Sequence, residues 1–141
     1  MRNIRQMRMW TARLGRAGER AAASMLRYRG FEILLRNCRM PRGEIDIVAR
    51  DGFTLVFVEV KTLYARNMDA RRAFQPRSNL SVRQKRRIIR GGLSYLRSLG
   101  RPNVRYRFDL VEILYTAWGP GSIRHHIGAF GYETVFKPVF H

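Results

Sequence analysis

The chain has 141 residues, 45% of them hydrophobic, which fits one folded domain and excludes wholesale disorder. Lys and Arg total 28 against 10 Asp and Glu, a formal net charge of +18 that favours polyanionic partners, nucleic acid foremost. No apolar run approaches the ~18 residues of a membrane span, the basic N-terminus lacks the apolar stretch of a secretory signal, and Cys38 stands alone, so no membrane partner and a reducing cytoplasm are expected.

Residues 1–13 form a basic N-terminal arm. From Thr11 to Arg29, Leu14, Gly18, Ala21, Ala22, Met25 and Leu26 recur at helical spacing; Thr11 can cap this helix, and Gly30 stands at the C′ position. Phe31–Leu35 is a short apolar run that predicts a first strand. Glu44–Arg50 and Thr54–Lys61 predict two more, joined by the hairpin signal Asp51-Gly52. Leu55 to Val58 is apolar throughout, as in a central strand covered on both faces. Residues 63–80 have no period and carry Arg66, Arg71, Arg72 and Arg77, which predicts a mobile basic loop. Ser81 and Gln84 then form a capping-box pattern. It opens a helix with a buried stripe of Ile88, Ile89, Gly92, Leu93, Leu96 and Leu99, stopped by Gly100 and Pro102. Val104 to Leu110 alternates as a strand does, Ile123–Phe130 predicts another, and residues 131–141 form a tail. The order αβββαββ describes one α/β domain over residues 14–130, with a central mixed sheet flanked by helices.

The acids are unevenly placed. Four of the ten lie between Glu44 and Glu59. With Asp51 and Gly52 as the loop, Glu44 faces Glu59 and Asp46 faces Phe57. Side chains alternate along a strand, so Glu44, Asp46, Glu59 and Lys61 share one face. Asp46 and Glu59 become diagonal neighbours, roughly 7–8 Å apart at Cα. Carboxylates gathered on a central strand pair repel one another, and a divalent cation relieves this. All-oxygen donors favour Mg²⁺ or Mn²⁺ over zinc. Lys61 reaches the same site, where an ammonium can orient a water or stabilise transition-state charge. A polar outer face on a two-stranded ribbon is the structural alternative.

Gly43-Glu44-Ile45-Asp46 followed by Val58-Glu59-Val60-Lys61 resembles the PD-(D/E)xK nuclease superfamily. More narrowly, the chain resembles the YraN-like family of uncharacterised bacterial proteins, similar in fold to Holliday-junction resolvases. Supporting segments are Gly15-Arg16-Ala17-Gly18-Glu19, Arg36-Asn37-Cys38-Arg39, Arg107-Phe108-Asp109 and His126-Ile127-Gly128-Ala129-Phe130. The resemblance implies a restriction-endonuclease-like fold and a metal-dependent endonuclease acting on DNA, with Asp46, Glu59 and the Val60 carbonyl as metal ligands and Lys61 as the catalytic lysine. Glu19 matches an acidic position that resolvase-like members place near the metal; on the residues alone it is equally an exposed helix glutamate. Glu44 is either an outer-sphere ligand or the partner of a nearby arginine. A homodimer follows from the paired cuts of resolvases. Two departures stand out: Gln84, with Lys85 beside it, occupies a position where the family carries a lysine, and Leu63 follows Lys61-Thr62 where a basic residue is common.

Arg83, Lys85, Arg86, Arg87 and Arg90 are either a solvated helix face or phosphate contacts; with Arg66, Arg71 and Arg72 they form the expected nucleic-acid surface. Trp10, Tyr64, Phe74 and Trp118 could stack on unpaired bases, with core packing expected for at least two. His125-His126 has no acid nearby in sequence and reads as a surface or interface pair. Cys38, between Arg36 and Arg39, reads as structural, its thiol eased towards ionisation by the arginines. The rival to a nuclease is a nucleic-acid-binding protein on the same fold without turnover; a third reading is a basic scaffold for protein partners.

Overall fold

A computed structural model describes residues 3–64 and 80–136. Helix α1 (Ile4–Tyr28) is followed by β1 (Glu32–Met40), β2 (Gly43–Asp51) and β3 (Thr54–Tyr64). Helix α2 (Val82–Ser98), β4 (Arg105–Thr116), β5 (Gly119–Phe130) and the short α3 (Tyr132–Val135) complete the order αβββαββ, apart from that last turn. The five strands form one mixed sheet in sequence order, β3 and β4 parallel and the other pairs antiparallel. Among the described residues no helix is long and apolar enough to cross a membrane.

The sheet buries both faces. On one, Ala22, Ala23 and Leu26 of α1 cover Ile47, Ala49, Val56, Val58, Val111 and Ile113. On the other, Ile88, Ile89 and Leu96 of α2 pack with Val48, Phe57, Phe108 and Leu110. Small residues set these distances. A Cβ on Gly18 would lie 1.9 Å from Thr62 Oγ1, and one on Gly43 would lie 2.2 Å from the Arg87 carbonyl oxygen. Close approach of α1 to β3 and of α2 to β2 therefore requires glycine at both points.

Several expected boundaries move. Helix α1 starts at Ile4, not Thr11, because Asn3 and Gln6 form a reciprocal capping box. Most of the N-terminal arm is thus helical, and the Thr11 hydroxyl donates to the Met7 carbonyl instead of capping. The Ser81–Gln84 box is present as expected. Leu99, the last residue of the expected stripe, is half exposed at the C-cap of α2. Strand β4 does not alternate: Phe108 to Leu114 is buried throughout, since β4 lies inside the sheet under both helices. Arg66, Arg71, Arg72, Arg77 and Phe74 lie outside the described residues, as does most of the expected loop; Leu63 and Tyr64 belong to β3.

The hairpin register differs by two residues from the sequence expectation. Asp51 pairs with Thr54, Arg50 with Leu55 and Ile47 with Val58. The loop residues are Gly52 and Phe53, with Gly52 at φ 60°, where a type II′ hairpin turn takes glycine. Asp51 is drawn into the strand pair, where its carboxylate accepts from Arg107 at 3.0 Å. A shift of two preserves the face of each side chain from Ile47 to Asp51, but alternation breaks at Asp46: Ile47 packs on the α1 side and Ile45 on the α2 side.

Candidate metal and nucleic-acid site

The β2–β3 ladder runs from the turn to Ile47–Val58, and the site begins beyond it. There the Asp46 and Glu59 side chains hydrogen-bond to each other across the strand pair. The Val60 N–H donates to Asp46 Oδ2 at 2.8 Å, so a side chain replaces a strand carbonyl as its acceptor. Asp46 consequently sits between the strands and is open to both faces. On the α2 side it lines a small cleft with Glu44, Glu59, Gln84, Arg87 and Ile88. On the α1 side it lines a larger one of about 350 Å³ with Glu19, Val60 and Thr62.

Burial and mutual repulsion raise the affinity of both carboxylates for protons. Glu59 is pushed up to about 9, first by desolvation and then by Asp46. Asp46 is raised less decisively, because it accepts hydrogen bonds from Val60 and from the Glu59 carboxyl. Both carboxyls thus hold a proton more readily than free ones do. Glu19 lies beneath them, 7% exposed, raised by its own burial and by Asp46. Its Oε1 is buried without a hydrogen-bond partner, 3.8 Å from Arg36 Nε. The Asn37 N–H also faces Glu19, and Asn37 takes φ 52°, a left-handed conformation that asparagine tolerates. The reading of Glu19 as an exposed helix residue is thereby excluded.

Glu44 is the partner of an arginine: Arg87 holds it at 3.0 Å. Lys61 is half-buried on the Glu59 side of β3 and makes no salt bridge among the described residues. Gln84 lines the carboxylate cleft, whereas Lys85 lines a separate one beside His126. Arg83, Arg86, Arg87 and Arg90 are exposed, but three are engaged within the fold. Arg87 binds Glu44, Arg86 donates to the Val135 carbonyl, and Arg86 and Arg90 both lie over the Phe136 ring.

Three readings are corrected. His125 and His126 are not a bare surface pair, for each binds a buried carboxylate, Asp109 and Glu112 respectively. Burial raises the Cys38 thiol rather than lowering it, since Cys38 packs against the core while the arginines reach elsewhere. Trp10, Tyr64 and Trp118 are all outside the buried core: Trp10 and Tyr64 meet edge to face near the surface, and Trp118 is 96% exposed. The residues that sequence reasoning missed are Arg107, Asp109 and Glu112. Asp109 accepts from Arg107, His125 and the Gly128 N–H, which together hold it below the usual carboxylate range despite complete burial. The available signal was two acids inside the apolar run Phe108–Leu114.

Among the described residues, no three His, Cys, Asp or Glu side chains already converge as a complete ligand set. Asp46 and Glu59 do fit a hard divalent ion in donor chemistry: two adjacent carboxyls whose burial disfavours charge without a counter-ion, with an unpartnered buried oxygen of Glu19 nearby. Mg²⁺ needs only one or two protein carboxylates, because it retains several waters.

Comparison with known proteins fits these motifs. The profile of the uncharacterised protein family UPF0102 matches residues 18–113. A UPF0102 protein of Desulfosudis oleivorans is 44% identical over 99 residues, covering 70% of this chain and 76% of its own. One from Symbiobacterium thermophilum is 44% identical over 101 residues, covering 72% and 81%. One from Chlorobium limicola is 39% identical over 126 residues, covering 86% and 94%. The chain belongs to the UPF0102 family, the YraN-like group that its hairpin motifs resemble.

Proposed function

We propose that the protein is a Mg²⁺- or Mn²⁺-dependent endonuclease that hydrolyses phosphodiester bonds, with DNA as its substrate. The observation that carries this reading is the hydrogen-bonded carboxyl pair Asp46 and Glu59, in a chain of net charge +18 and followed by Lys61. Asp46 and Glu59 would hold the ion, with Glu19 behind Asp46. When bound, such an ion polarises a phosphodiester oxygen and acidifies water. The Asp46 carboxylate is fixed by the Val60 N–H, so it needs little rearrangement to bind. Arg87 neutralises Glu44, which leaves the cleft less negative and easier for a phosphate to approach. Lys61, on the Glu59 side of the strand, supplies an ammonium to offset charge building on the phosphoryl oxygens. Loss of such a donor costs on the order of 10²–10³ in rate.

The test is cleavage of plasmid, single-stranded and branched DNA with Mg²⁺, with Mn²⁺ or with EDTA, comparing wild type with D46A, E59A and K61A. The reading expects metal-dependent product from wild type alone. Cleavage that survives all three substitutions belongs to a contaminant and defeats it. The exposed arginines also support binding without turnover; salt-sensitive binding with no product in either metal would establish that instead.

A further inference from the structure

Two consecutive histidines on β5 have different environments. His125 has 1% of its side chain exposed, and both ring nitrogens are taken, Nε2 by Asp109 at 2.8 Å and Nδ1 by Arg29 at 3.0 Å. Arginine only donates, so Nδ1 accepts and the Nε2 proton goes to Asp109. This closed arrangement is structural. His126 projects from the other face of the strand. Its Nε2 meets Glu112 at 2.5 Å, its side chain is 30% exposed, and its Nδ1 has no hydrogen bond among the described residues. Glu112 is 1% exposed, with Oε2 lacking a partner. A carboxylate buried in this way strongly favours a donor on its remaining contact, which fixes the imidazole and leaves Nδ1 for a ligand.

His126 lines a cleft of about 420 Å³ with Leu80, Lys85, Leu110, Ile127 and Phe130, a volume within the range of small-ligand sites. Glu59 pairs with Leu110, and Leu110 with His126, so the three form one row on one sheet face. Two strand spacings, about 10 Å, separate the Glu59 and His126 backbones. The charged groups facing His126 are Glu112 from β4 and Lys85 from α2. On the same sheet face, Lys61 of β3 and Arg124 of β5 are in register with Glu112.

We infer that His126 and Lys85 form a second, phosphate-binding subsite that holds the nucleic-acid strand a short way along from Asp46 and Glu59. The identity of the strand rests on the proposed nuclease function; the subsite itself does not. An imidazolium that donates Nε2–H to Glu112 has a second N–H at Nδ1 for a phosphate oxygen, and Lys85 adds a cation. Leu110, Ile127 and Phe130 give an apolar wall suited to a sugar or base.

Ring ¹⁵N–¹H spectra of the full chain at slightly acid pH test this, with His126 assigned by its loss in H126Q. Inorganic phosphate and, separately, a short oligodeoxynucleotide with hydroxyl ends are titrated in, with chloride at matched ionic strength as control. The His126 signals should move saturably with both phosphate ligands, His125 should stay fixed, and K85Q should weaken the response several-fold. K85Q and H126Q should each reduce the salt slope of oligonucleotide binding by about 1. A His126 signal that ignores both ligands, or follows chloride equally, overturns the subsite. Response to phosphate but not to the oligonucleotide overturns the strand assignment and leaves a small-anion site. These readouts need no metal or cleavage, so a failure of the nuclease reading shows separately.

Discussion

Glu59→Gln separates the charge at position 59 from its hydrogen bond to Asp46. The glutamine amide can donate to Asp46 as the protonated Glu59 carboxyl does, but it never ionises. Glu59 is held up to about 9 in the fold against an ordinary 4.5. Its protonated form is therefore favoured in the fold, and the associated stability is lost as pH rises from about 4.5 towards 9. Each unit costs up to about 1.4 kcal/mol, so by pH 7 the metal-free wild type has lost as much as ~3 kcal/mol relative to pH 4.5. For a domain of this size that is roughly 10 °C in Tm. Thermal unfolding in EDTA at a series of pH values should show wild-type Tm falling across this range more steeply than that of E59Q. Mg²⁺ or Mn²⁺ should restore the wild type increasingly as pH rises and leave E59Q nearly unchanged. Parallel wild-type and E59Q profiles in EDTA would refute the claim that burial and the neighbouring Asp46 raise the proton affinity of Glu59 in the fold.

Gly43→Ala should destabilise by about 1–3 kcal/mol in urea unfolding, because its methyl group meets the backbone of α2 rather than a movable side chain. Arg107→Ala removes the guanidinium from fully buried Asp109 and should cost about 3–5 kcal/mol, again read by urea. Asp109 is held below its ordinary value, so it stabilises the fold above pH 3.8 and loses that contribution as pH falls through the lowered value; R107A should flatten this acid limb in a Tm–pH profile. Ser81→Ala should cost about 1 kcal/mol by loss of the α2 cap, measured by thermal unfolding.

Much of this fold was legible because it depends on local periodicity. The apolar run Leu55–Val58 identified the middle strand, and the Ser81–Gln84 spacing identified the start of α2. The same three-residue spacing at Asn3 and Gln6 went unread because the helix stripe begins only near Leu14, and the first turns of α1 have little to bury. That Asp46 and Glu59 come together was legible from the hairpin. The register was not, because Asp51-Gly52 and Gly52-Phe53 compete as turns, and the Arg107 contact that draws Asp51 into the strand comes from a distant segment; nor was the break in alternation that leaves Asp46 open to both faces. The histidine partners were hidden for the same reason. Asp109 and Glu112 meet His125 and His126 only through β4–β5 pairing, whose register shifts between Phe108 and Leu110.

The two-residue turn at Gly52–Phe53 gives this hairpin an odd–even rule for change of length. Adding or deleting one residue there would rotate the remainder of one strand by half a turn, send Ile47 and Val58 to opposite sides of the sheet and separate Asp46 from Glu59. Adding two would keep Ile47 and Val58 on one side but slide them apart along it. Tolerated variation in the length of this stretch should therefore fall beyond Gly43 or Tyr64, leaving the twenty-two positions from Gly43 to Tyr64 constant in number.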